Sequence, residues 1–165
     1  MPDDPAILPY RPCVGIMLLN KNGAVFVAKR IDTMVEAWQM PQGGIEDGEG
    51  PREAAFREME EEIGTRNAKI IGEHEDWLQY DLPERLIGRV WKGKYRGQRM
   101  KWYLMRYLGQ DSDINLATDQ PEFSTWKWLD MKDLAQSIVE FKRPLYEKLI
   151  RHFGPLVKLR ENGIP

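Results

Sequence analysis

An α/β fold, with helices packed on the faces of a mixed sheet, is predicted from three observations. Strand-like runs come first, a helix interrupts them, further strands follow, and a helix closes the chain. The interrupting helix, Pro51 to Ile63, carries its own start and stop signals. With 165 residues and 42% hydrophobic content, a single domain can bury a sizeable core.

Residues 1–9 hold three prolines and two aspartates and are expected to form a mobile arm. Cys13 to Leu19 and Ala24 to Ala28 are apolar, strand-like runs joined by a hairpin turn, Asn20-Lys21-Asn22-Gly23. Cys13 heads the first run, where core packing is its expected role. Trp38 to Gln42 reads as a short strand. Beyond the helix, Ala68 to Gly72 and Asp76 to Tyr80 are short strand candidates, and Met100 to Leu108 alternates as a strand of the central sheet would. Asp111 to Gln120 is polar and loop-like. Thr125 to Leu129 alternates again, with Trp126 and Trp128 on one face and core packing expected for both. Leu145, Leu149, Ile150 and Phe153 give an amphipathic closing helix from Pro144 to Phe153, and the last dozen residues read as a tail. His74 and His152 are expected at the surface.

The helix from Pro51 to Ile63 organises the rest. Pro51 fits its first position, Glu53 the third, and Gly64 the C-terminal cap. At about 100° per residue, Glu58, Glu61 and Glu62 share one arc, beside a buried stripe of Ala55, Phe56, Met59 and Ile63. Glu60 points away from both, and Arg57 flanks the carboxylates. Three like charges on one arc repel, and a hard divalent cation would offset that repulsion.

Composition excludes several classes. Net charge is −2, so no global basicity announces a nucleic-acid partner. One cysteine excludes an internal disulfide, and two histidines with one cysteine fall short of a zinc site. No apolar run reaches the ~20 residues that span a bilayer, and Met1-Pro2-Asp3-Asp4 is no signal peptide, so the expected location is cytoplasmic. One segment is locally basic: Arg85, Arg89, Lys92, Lys94, Arg96, Arg99 and Lys101 occur with no acidic residue among them, interleaved with Trp91 and Tyr95. Beside a carboxylate site, such a wall suits a polyanionic substrate.

Gly43, five residues, Glu49, seven residues, then Arg57-Glu58-Met59-Glu60-Glu61-Glu62-Ile63-Gly64 resembles the Nudix box at every polar position. Thr65 stands where that family usually has an aliphatic. The resemblance implies an α/β/α sandwich and cleavage of a nucleoside diphosphate linked to another group. Further stretches, among them Tyr10 to Gly15, Trp38 to Gly44, Trp77 to Pro83, Gly97 to Trp102, Pro121 to Phe123 and Phe141 to Arg143, resemble one subgroup. It comprises bacterial RNA 5′-pyrophosphohydrolases and the similar plant-type dinucleoside polyphosphate hydrolases. Cys13 departs from it, since asparagine is more usual there.

Carried over by that resemblance, Glu58, Glu61 and Glu62 would hold Mg²⁺ (Mn²⁺ or Zn²⁺ substituting), with Gly43 and Glu122 completing the metal set. One carboxylate would also orient or deprotonate the attacking water, and Arg57 would steady them. Arg11, Lys29, Arg30 and Lys142 would meet phosphates, and Arg30 and Phe141 a base. Gln42, Gly44, Tyr80, Arg99 and Lys101 belong to the same expected substrate surface. Three readings stand at this point: removal of pyrophosphate from 5′-triphosphorylated RNA, hydrolysis of dinucleoside polyphosphates such as diadenosine tetraphosphate, or a non-catalytic binding module. A monomer is expected, with a dimer as the alternative.

Overall fold

The computed structural model describes residues 7–33 and 35–161, and of residues 159–161 the backbone alone. In chain order its elements are β1 (Tyr10–Leu19), β2 (Val25–Arg30), β3 (Gln42–Gly44), α1 (Pro51–Ile63), β4 (Ala68–Glu73), β5 (Leu78–Asp81), β6 (Gly97–Tyr107), β7 (Phe123–Leu129), α2 (Leu134–Ser137) and α3 (Arg143–Glu161). Short 3₁₀ turns fill several of the connections.

β1 is the spine of the sheet. It runs parallel to β6 over its whole length, from Tyr10 opposite Gly97 to Leu19 opposite Arg106. Its other edge is shared by β2 and β3, both antiparallel. β6 in turn carries β4 and β5 on its far edge, and β7 pairs with β2. The sheet is therefore mixed, as expected. Helices cover both faces, and that explains why Cys13 to Leu19 is apolar without alternation. Cys13, Met17 and Leu19 pack with Leu145, Tyr146, Leu149 and Phe153 of α3. Val14, Ile16 and Leu18 pack with Ala54, Ala55, Met59 and Ile63 of α1. Gly15 lies so close to Trp102 that a Cβ there would run into the indole.

Helix α1 has the expected bounds. Gly64 adopts φ 79° and its N–H reaches the Glu60 carbonyl at 3.0 Å, closing the last turn. Ala54 joins the buried stripe in place of Phe56, which is only half-buried. Trp126 and Trp128 pack round Phe26, at ring-centroid distances of 5.4 and 6.0 Å.

Several strand ends shift by one to three residues from those expected, and two larger expectations need correction. Between Trp38 and Gln42 only Gln39 bridges, to Ala28, and the true strand begins at Gln42. Pro41 has no N–H to donate to a ladder, which delays regular pairing by a residue. The closing helix does not stop at Phe153: α3 continues through Pro155 to Glu161. Val157 extends the buried row Leu145, Leu149, Phe153 by one more turn, and this packing outweighs a Gly-Pro pair that would end an isolated helix. Most of the N-terminal arm, and residues 162–165 of the tail, lie outside the described residues. Among the described residues, no helix is long and apolar enough to cross a membrane.

Candidate active site

Strand β3 lies against α1, and this contact sorts the glutamates. Glu58 and Glu62, one turn apart, are 8% and 2% exposed beneath the glycine strand. Gly43 is where the two elements touch, because the Glu58 carboxyl occupies the space a Cβ would need. Glu61 is instead exposed, so the expected arc of three carboxylates is divided between interior and surface. Glu60 points outward, as expected.

Arg57 binds this cluster together. Its Nε and Nη2 donate to both oxygens of Glu49 at 2.6 and 2.8 Å. Nη1 donates to Glu58 at 2.9 Å and to Glu61 at 3.2 Å, and Nη2 also reaches the Gly44 carbonyl at 2.8 Å. The planar fork thus joins the helix to the glycine strand and the loop after it. Hydrogen bonding to Arg57 holds Glu49 down at about 2, whereas burial pushes Glu58 up to about 7 against the pull of Arg57. Glu62 is raised well above the usual carboxylate range, first by burial and then by Glu122 and Glu58. Its two oxygens are buried without a partner in hydrogen-bonding geometry. The Gln42 backbone and Arg30 oppose the rise only weakly.

A cleft of about 760 Å³ opens from this cluster. Of the expected site residues, Arg11, Arg30, Gln42, Gly43, Gly44, Glu58, Tyr80, Glu122, Phe141 and Lys142 line it. A smaller recess of about 390 Å³ shares Arg11, Gly44 and Glu58 and adds Arg57 and Glu61. Phe141 and Lys142 reach the cleft from the turn that starts α3. Tyr80 sits 5.9 Å from the Phe141 ring, and the Lys142 amine lies 5.6 Å above Tyr80.

Three expected cations lie elsewhere. Lys29 pairs with Glu36 at 2.9 Å, Arg99 covers Trp77 at 4.8 Å, and Lys101 donates to the His74 carbonyl. Residue parity accounts for the last two. Gln98 of β6 faces the cleft, so its alternate neighbours Arg99 and Lys101 face the other side of the sheet.

Two residues of the site were not singled out from the sequence. Asp32 grips Arg30 through two bonds of 2.8 and 2.7 Å, leaving the flat faces of the guanidinium available for stacking. Gln98, fully buried, accepts from the Tyr80 hydroxyl and, at 3.3 Å, from Gln42, and donates to Cys13 at 3.2 Å. Besides its place in the Gly97 to Trp102 stretch, its position in a strand that otherwise reads as core was a signal: a buried amide needs partners.

Burial pushes the Lys142 amine down to about 8, and the Arg30 charge adds to the effect. Below that pH the amine is charged and can bind phosphate; above it the charge is lost. KM for a polyphosphate substrate should therefore rise as pH passes about 8, with kcat little changed. Lys142→Arg should remove that inflection, and a KM profile without it in the parent would take Lys142 out of phosphate binding.

Among the described residues, no three acidic, histidine or cysteine side chains form a closed metal cage. Magnesium does not require one, since it takes one or two carboxylates and completes its shell with waters and phosphate oxygens. The unpartnered oxygens of Glu62, beside Glu58, fit such a hard cation.

The NUDIX domain model matches residues 9–149. An RNA pyrophosphohydrolase of Rhodospirillum rubrum is 62% identical over 143 residues, 87% of this chain and 86% of that protein. One of Cereibacter sphaeroides is 53% identical over 154 residues, 92% of this chain and 95% of that protein. Among solved structures, the dihydroneopterin triphosphate pyrophosphohydrolase of E. coli shares the fold at TM-score 0.67 and 19% identity, covering 87% of this chain and 99% of that one. A C. elegans Ap4A hydrolase does so at TM-score 0.61 and 22% identity, covering 88% and 98%.

Proposed function

This chain belongs to the NUDIX family of hydrolases, and on that premise we propose that it removes pyrophosphate from the 5′-triphosphate end of RNA, leaving a 5′-monophosphate. The observation that carries the reading is identity of 62% and 53%, over most of both chains, to proteins named RNA pyrophosphohydrolase. The Ap4A hydrolase shares the fold only, at 22% identity.

The geometry supports that chemistry. Lys142 and Arg11 supply charge for phosphates, while the Arg30 face, Tyr80 and Phe141 offer flat surfaces for an unpaired base. Hydrolysis needs a water held in line with the scissile P–O bond and a group to take its proton. Glu58 lies beside the cleft with its carboxylate aimed by Arg57, and in the metal-free protein burial raises it to about 7, so it is a candidate to take that proton. The water oxygen forms the new bond to phosphorus, and the bridging oxygen leaves with the pyrophosphate. Glu58, Glu62 and Glu122 are the residues that would hold a divalent cation, which supplies Lewis acidity toward phosphate oxygens and water when bound. Glu61, exposed and held on Arg57, would join them from the smaller recess.

Parallel turnover of triphosphorylated RNA and diadenosine tetraphosphate by the pure protein with Mg²⁺ tests the assignment. The expected result is higher kcat/KM on RNA. Preference for diadenosine tetraphosphate at every salt concentration would make the chain a dinucleoside polyphosphate hydrolase instead. Phe141→Ala should cost roughly 1–3 kcal/mol in kcat/KM, the worth of a stacking platform. An unchanged kcat/KM would remove the ring from base binding.

A further inference from the structure

The connection between β5 and β6 forms a flap with two unlike sides. On one side Leu86, Val90 and Trp91 line the cleft. The Arg11 guanidinium lies 5.5 Å over the Trp91 ring, and Tyr95 meets the indole edge-on at 6.3 Å. Trp91 and Lys92 hold φ of 49° and 58°, a left-handed conformation in which side chains with a Cβ are seldom found. The Trp91 indole lines the cleft, while the Lys92 side chain beside it is exposed.

Away from those residues the flap is mostly cationic, Glu84 being its one acid. Arg85, Arg89, Lys92 and Lys94 are exposed, and none has an ion-pair partner among the described residues. Arg30, Arg52, Arg57 and Arg66, by contrast, all pair with carboxylates. In a chain of net charge −2, this flap concentrates positive charge that the protein does not neutralise. Arg85 also lines the cleft, so the charge is continuous with it.

We propose that the flap is a second nucleic-acid-binding element, taking the backbone phosphates of single-stranded RNA downstream of the nucleotides in the cleft. The inference rests on the RNA reading above and extends it to a part of the substrate that the cleft does not hold. A cleft of about 760 Å³ has the size of a small-molecule pocket, so a longer strand must leave it. Arg85 stands in the cleft wall and Arg89, Lys92 and Lys94 follow it along the same connection, where each further phosphate would find a partner and release a counterion. A dinucleoside polyphosphate carries no charge beyond its polyphosphate bridge and gains nothing there.

The test is the triple variant Arg89→Gln, Lys92→Gln, Lys94→Gln, three exposed positions outside the cleft lining. Binding of a single-stranded RNA octamer bearing a 5′-monophosphate is followed by fluorescence anisotropy across a salt series. The slope of log K against log salt should shrink by about 2, at roughly 0.7 per lost phosphate contact. In parallel, kcat/KM should fall severalfold or more on a triphosphorylated octamer, and stay within twofold on a triphosphorylated dinucleotide. An unchanged slope overturns the proposal, and so do equal losses on dinucleotide and octamer. If the parent hydrolyses diadenosine tetraphosphate but no triphosphorylated RNA, the pyrophosphohydrolase reading fails, and the binding slope still decides the flap.

Discussion

Glu62→Gln should lower turnover on the order of 10³-fold while leaving the fold intact, the scale of effect seen when one preorganised electrostatic group is removed. The swap keeps the shape of a side chain that is 2% exposed and removes its ability to carry charge. Tolerance comes from weak bonding: neither carboxylate oxygen has a partner in hydrogen-bonding geometry, and the Gln42 backbone nearby can serve an amide oxygen as it does the carboxylate. Linkage gives a second readout. Glu58 is raised to about 7 and Glu62 also lies well above the ordinary 4.5, so the folded state binds protons more tightly than the unfolded chain. Metal-free stability should therefore be fullest below 4.5 and fall as pH rises through about 7. Glu62→Gln should flatten part of that fall. Mg²⁺ should raise the melting temperature of the parent at pH 7.5 and do so far less in the variant. Turnover within a few-fold of the parent, or equal stabilisation of both by Mg²⁺, would remove Glu62 from the metal-binding set.

What the sequence disclosed about this site follows the range of the interactions involved. The helix was legible to the residue because Pro51, Glu53 and Gly64 act on their own neighbours. The carboxylate arc was legible as an arc, but its division was not. Which edge lies under β3 depends on how α1 is rotated against the sheet, and Gly43 meeting Glu58 sets that rotation. The basic segment was visible as charge, yet the cations that reach the cleft depend on strand parity. Gln98, facing the cleft, and Arg99, facing away, are adjacent residues of one strand. Asp32 stood two residues from Arg30 and was readable as an acid, though its grip on that guanidinium depends on the turn beyond β2. The end of α3 was missed for a related reason. Pro155 argued locally for a stop, while the burial of Val157 is a tertiary fact.

Gly43→Ala should damage stability and turnover together. The new Cβ would need the space the Glu58 carboxyl occupies, and that carboxyl has little room to yield. It is held at 2.9 Å by Arg57, itself fixed by Glu49 and the Gly44 carbonyl, and its backbone lies mid-helix between the buried Ala55 and Met59. Overpacking of this kind costs about 1–3 kcal/mol in stability. A displaced Glu58 should also cost at least about 10² in turnover, since small misplacements of a reacting group have effects of that size. Gly44→Ala is the matched comparison. There the added methyl meets the guanidinium end of Arg11 at 2.6 Å, a flexible tip that can swing aside. That variant should stay folded, retain most of its kcat and show a raised KM if Arg11, which lines the cleft, meets phosphate as proposed. Adding Glu58→Asp to Gly43→Ala withdraws the carboxyl by one methylene, which should restore melting temperature without restoring activity. Near-parental turnover in Gly43→Ala, or equal damage from both glycine variants, would mean that the contact between β3 and Glu58 does not position the catalytic carboxylate.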